Sequence, residues 1–151
     1  MSVLLVRCGL VVLFFPFSAL DKVVNFRGAV RQAGEVFPPL LARLAIVIGL
    51  AIEVITSLGI VTGIADRAAA VVLAGYCVLT GLLFKQFWTA GDFWSAADGK
   101  GRTLFWDFLK NLSLGAGILL IAIGPDGSGL GGLRTHPFAT DHPYARAGGA
   151  Q

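Results

Sequence analysis

The sequence predicts an all-α membrane protein, an antiparallel bundle of four transmembrane helices with a short interfacial helix after the first span. Three observations lead there. Of the 151 residues, 56% are hydrophobic and 14% charged, against about 45–50% and roughly 25% in a typical soluble domain. The mean hydropathy is +0.77. The apolar residues come in continuous runs, without the alternation of barrel strands, and four of those runs approach the roughly 20 residues that a helix needs to cross about 30 Å of hydrocarbon.

The first span covers about residues 3–24, "VLLVRCGLVVLFFPFSALDKVV". No positive n-region precedes it, no A-x-A site follows, and Arg7 falls inside it, so it is expected to be a retained helix and not a signal peptide. Residues 25–38 place Arg27, Arg31 and Glu35 at i, i+4 spacing, which suits a helix lying in the membrane interface. Pro38 and Pro39 end that segment and begin the second span, residues 39–64. Only "ADR" separates it from the third span, residues 68–87, which forces an antiparallel hairpin. Residues 88–107 form a loop, and the fourth span covers 108–124. The expected transmembrane domain is thus 1–124, followed by a Gly/Pro-rich irregular tail, 125–151.

An even number of spans puts both termini and the Asp66–Arg67 turn on one side of the membrane. The opposite side carries Lys22, Arg27, Arg31, Arg43, Lys85, Lys100, Arg102 and Lys110, against Arg7, Arg67, Arg134 and Arg146 on the terminal side. Eight against four predicts loops 25–38 and 88–107 to be cytoplasmic in a bacterial or archaeal plasma membrane, with the termini outside.

Several chemistries are excluded by pattern. The net charge of +3 comes from residues at the ends of apolar runs and forms no basic stripe, so nucleic acid is not an expected partner. Cys8 and Cys77 lack CxxC spacing and read as buried apolar side chains. His136 and His142 both lie in the tail, which leaves no pair for haem in the bundle, and no metal is expected. No Walker, GxGxxG or HExxH pattern occurs, so no catalytic residue is assigned.

The polar residues inside the spans are the candidates for function, because ionisable groups there are costly and usually face one another. Counting 1.5 Å per residue brings Glu53 within reach of Arg7, giving an expected buried ion pair. That pair could fix helix register, or Glu53 could relay protons or bind a ligand. A second group gathers at the cytoplasmic ends: Asp21, Lys22 and Asn25 from the first span, Lys85 and Gln86 from the third, Asp107, Lys110 and Asn111 from the fourth. Lys110 sits in the first turn of its helix, where a cation is unfavourable, so Asp21, Asp107 or a ligand is expected to hold it. Above this group, residues 87–111 hold all three tryptophans and seven of the sixteen aromatic residues. Trp88 and Trp106 suit an interfacial belt. Together with Lys22, Lys85, Lys110 and Asn111 they also suit a pocket for a quinone or another ligand, and the loop could alternatively dock a partner protein.

These features resemble the DoxX family of small membrane proteins over about residues 4–124. The resemblance rests on Arg7, on "FSALDK" ending in Lys22, on "EVITSLGIVTG", on Arg67, and above all on "FW…D…FLKNLSLGAGILLI". Where relatives often carry a His just before the Phe-Trp, this chain has Lys85 in "KQFW", which leaves a His-based role without its residue. The resemblance implies a four-helix bundle that partners a membrane redox enzyme without being catalytic itself, since the family name comes from subunits associated with thiosulfate:quinone chemistry. The expected function is therefore an anchor or quinone-access subunit of an oxidoreductase complex, in contact with membrane lipid and other subunits. The alternatives are a small-solute carrier using the Glu53–Arg7 pair and a purely structural assembly subunit.

Overall fold

Four long apolar helical segments packed antiparallel account for most of the chain in a computed structural model, which describes residues 2–94, 99–123, 131 and 134–138. Among these residues there is no strand. The four segments long and apolar enough to span a membrane are Leu4–Val24, Pro39–Thr62, Asp66–Thr89 and Lys100–Ile123.

The first span is broken, contrary to the unbroken helix expected over 3–24. It consists of α1 (Ser2–Val11) and α2 (Phe15–Val24). The cause is Pro16, which has no N–H to donate to the Val12 carbonyl and whose ring clashes there. The ladder stops with the Val12 amide donating to the Cys8 carbonyl at 2.8 Å and resumes with Ser18 donating to Phe14 at 2.9 Å.

The chain then folds across the end of the bundle as α3 (Phe26–Ala33), which packs against α4 (Pro39–Thr62). Pro39 opens α4, where its missing amide hydrogen costs nothing. Gly63 closes α4 with φ 79° and Ala65 follows with φ 53°, two left-handed residues that reverse the chain. Asp66 and Arg67 therefore sit in the first turn of α5 (Asp66–Phe84) and are buried. This corrects the expectation that Ala65, Asp66 and Arg67 form the turn, which instead lies at residues 63–65.

After a 3-10 turn at Phe87–Thr89 and a loop, α6 runs from Lys100 to Ile123. It begins eight residues before the start expected at 108, because the Asp92 carboxylate accepts the Gly101 amide at 2.8 Å and so satisfies one of the open donors of the helix N-terminus. A Cβ on Gly101 would fall 2.6 Å from that carboxylate, so the approach requires glycine. Residues 95–98 of the loop and most of the tail expected from 125 lie outside the described residues.

The core is formed by Val11, Phe15, Ile60, Leu73, Cys77 and Ile118 with small residues between them. Helices α5 and α6 approach closely where Gly115 meets Ala74 and Cys77; a Cβ there would lie 3.3 Å from the Ala74 carbonyl. Such small-residue contacts matter in lipid, where association depends on van der Waals fit. The outward faces carry large apolar side chains such as Leu5, Phe17, Ile55 and Leu120, as a lipid-facing surface requires.

Candidate functional site

The charged residues inside the bundle sort into two ion pairs at different depths. Near the terminal side, the Arg7 guanidinium meets the Asp66 carboxylate at 2.6 Å and donates to the Ile60 carbonyl at 3.1 Å. Asp66 is wholly buried, at 0% exposure. Deeper toward the other end, Lys22 Nζ lies 2.8 and 3.0 Å from the two oxygens of Glu53, which is 2% exposed. Lys22 also donates to Ser18 Oγ at 2.7 Å, and Ser18 donates to Glu53 Oε1 at 3.1 Å.

The expected Arg7–Glu53 pair is thus replaced by Arg7–Asp66 and Lys22–Glu53. The physical reason is the relative protrusion of the helices. Counting rise from a common membrane plane assumes that spans begin level. In the fold, α2 ends alongside the middle of α4, so Lys22 and not Arg7 reaches Glu53, while the hairpin turn brings Asp66 to the level of Arg7.

Above Lys22 opens a cavity of about 660 Å³ between α2, α3, α4 and α5. Its polar lining includes Ser18, Lys22, Tyr76, Thr80, Lys85 and Asn111, with Asp21, Asn25, Arg31 and Glu35 added from α2, α3 and the residues that flank α3. Its apolar walls are Ile46, Ile52, Leu79, Leu83 and Phe84, and α3 crosses its mouth with Gly28, Ala29, Gln32 and Ala33. Phe37 meets Phe84 edge-on at 6.3 Å beside that mouth. The Tyr76 hydroxyl interacts with Glu53, and Gly49 makes room for it: a Cβ at that position would fall 2.7 Å from the Tyr76 oxygen.

Three of the six residues expected to form the pocket therefore line one cavity: Lys22, Lys85 and Asn111. The other three do not. Trp88 joins an aromatic cluster centred on Phe87, whose ring lies 5.1 Å from Trp88, 5.6 Å from Phe93, 5.0 Å from Phe105 and 5.7 Å from Phe108. Trp106 extends that cluster through Phe105 at 5.7 Å. Lys110 is 75% exposed and lies 3.5 Å from Asp107, three residues earlier on α6, so it stands well inside that helix and not in its first turn as expected. Lys85 lies between the two groups, 3.0 Å from Asp107. The aromatic side chains fill the bundle end with one another and leave the cavity to aliphatic walls.

Sequence reasoning missed Tyr76, Ser18 and the pairing of Asp66. Tyr76 offered a signal, a lone hydroxyl in the middle of an apolar span, where a polar tip needs a partner. Asp66 and Arg7 fall on the same side of the membrane by span counting, and that shared depth is the clue to their pairing.

Four antiparallel spans, an apolar outer face and ionised residues turned inward define a small integral membrane protein of the all-α class. The DoxX family model matches residues 2–86. The chain is also 31% identical over 123 residues to the inner membrane protein YphA of Escherichia coli (strain K12), covering 81% of this chain and 82% of that protein. This chain belongs to the DoxX family. No solved structure matches it.

Proposed function

We propose that the protein binds an isoprenoid quinone in the cavity above Lys22 and provides quinone access, or an anchor, for a membrane oxidoreductase complex without being catalytic itself. The single observation that supports this most is the composition of the cavity. Aliphatic walls from α4 and α5 suit a hydrophobic ring and the start of its chain, while Lys22, Lys85 and Asn111 offer donors to carbonyl oxygens at the floor. Glu53 and Ser18 hold Lys22 in place beneath it. The excess of basic residues at this end supports a mouth that opens toward the cytoplasm.

The test is direct titration of a short-chain quinone into the purified protein, alongside extraction of lipid from protein purified out of native membranes. Saturable binding is expected, and Asn111→Leu should weaken it about tenfold, the size of one lost hydrogen bond to a desolvated acceptor. Failure to bind, together with absence of quinone and of any co-purifying redox enzyme, would overturn the proposal.

A second reading is favoured by the two separate ion pairs. The cavity reaches Lys22–Glu53 from one end, and Arg7–Asp66 closes the bundle at the other. That arrangement suits a carrier of a small solute. Proton-linked flux in vesicles that disappears in Glu53→Gln, without quinone binding, would select this reading.

A further inference from the structure

Beside α3, and sharing Arg31 with the rim of the first cavity, lies a second hollow of about 480 Å³ lined by Phe26, Arg27, Val30, Arg31 and Arg43. All three arginines are exposed. No side-chain hydrogen bond or ion pair of theirs occurs among the described residues, and the hollow's lining includes no carboxylate. Arg27 and Arg31 are one helical turn apart on α3, where like charges repel. Arg43 adds a third cation from α4, about 6 Å along the helix from Pro39 at 1.5 Å per residue.

We infer that this hollow is a binding site for an anionic phospholipid, whose phosphodiester is held by Arg27, Arg31 and Arg43 while an acyl chain begins along Phe26 and Val30. Three features converge on that occupant. The guanidinium fork matches phosphate oxygens in pairs, and a bound anion removes the mutual repulsion of three cations. The site also lies at the headgroup level. It sits on the helix that crosses the bundle end, and the exposed Trp88 and Trp106 mark the same end. Basic hollows of this kind, beside membrane helices on the cytoplasmic side, bind acidic headgroups. Finally, Phe26 and Val30 give the hollow an apolar half, which an acyl chain would use and a free phosphate would not. Lipid held on α3 would fix the helix that crosses the mouth of the inner cavity. The inference does not depend on what that cavity binds.

The test uses the full-length protein in detergent with an equal mixture of phosphatidylglycerol and phosphatidylcholine, reading retained lipid by native mass spectrometry. The wild type should retain phosphatidylglycerol at least about tenfold in preference, since each arginine near an acidic lipid contributes several-fold. The triple variant R27Q/R31Q/R43Q should lose that preference while keeping its helical circular dichroism and its midpoint of unfolding. Arg102→Gln removes an exposed charge at the same end of the bundle and should leave the preference intact. Equal retention of both lipids by the wild type, or an unchanged preference in the triple variant, would overturn the inference. Displacement of the lipid by millimolar inorganic phosphate would also overturn it, by showing an anion site without lipid specificity. So would loss of the preference in Arg102→Gln, which would reduce it to diffuse surface charge.

Discussion

Replacing Lys22 with methionine should destabilise the protein by about 3–5 kcal/mol, the cost of leaving a buried ion without its partner. Glu53 is 2% exposed and accepts two contacts from Lys22 Nζ, at 2.8 and 3.0 Å. Methionine fills a similar volume, so the loss reports the charge and not a cavity. The stranded carboxylate would keep Ser18 and Tyr76, but neutral hydroxyls do not offset the desolvation of an anion. The double variant K22M/E53Q should recover most of the loss, because neither member then leaves an unpaired charge. The midpoint of unfolding in a denaturing detergent, measured for both single variants and the double, gives the coupling directly. Equal stability of K22M and the wild type would show that Glu53 has no need of Lys22.

The second large effect is expected at the other end of the bundle. Arg7→Met removes an ion-pair partner of Asp66, which has no exposure at all. The cost should be about 3 kcal/mol, the low end for a broken buried pair, because Asp66 stands in the first turn of α5 and keeps the favourable field of that helix terminus. The damage should be local. Arg7 also donates to the Ile60 carbonyl, in the last turn of α4, so the Gly63–Ala65 reversal loses its clamp. Residues 134–138 rest on the same place, through Arg67 donating to the His136 carbonyl at 3.1 Å and the Ala68 amide to the Phe138 carbonyl at 3.2 Å. Hydrogen exchange should therefore quicken in residues 63–70 of the Arg7→Met variant and stay unchanged at the Lys22–Glu53 end. Uniform quickening along all four spans would mean that the pair supports global stability and not the hairpin.

The two ion pairs also show what could be read from the sequence. Four continuous apolar runs specify four spans with little ambiguity, and Lys22, Lys85 and Asn111 do line one cavity, the first two at helix ends and Asn111 from the middle of α6, where Gly81 of α5 admits it. Depth within the bundle was not legible. Glu53 lies in mid-span, and its partner depends on how far α2 and α4 extend past each other, a property of three-dimensional packing that no local pattern encodes. The break at Pro16 was visible as a residue type, yet its consequence, two helices in place of one, needs the packing around it. The start of α6 at Lys100 depends on Asp92, a loop residue nine positions from the amide that it caps. The aromatic loop was legible as a cluster, but not as one whose rings stack on each other through Phe87 and leave the cavity to Ile, Leu and the polar floor.

The family places this chain among integral membrane proteins, and the relationship to an inner membrane protein of a bacterium agrees with the expected setting. Within that setting, an open cavity whose floor is a locked lysine–glutamate pair is the feature on which the functional proposal depends. Thiol labelling tests it most directly. In a background with Cys8 and Cys77 replaced by alanine, Thr80→Cys on the cavity wall should react with a water-soluble maleimide, Ile118→Cys in the core should not, and a saturating short-chain quinone should protect the first. An unreactive Thr80→Cys, or one that reacts equally fast with quinone present, would contradict a ligand cavity above Lys22.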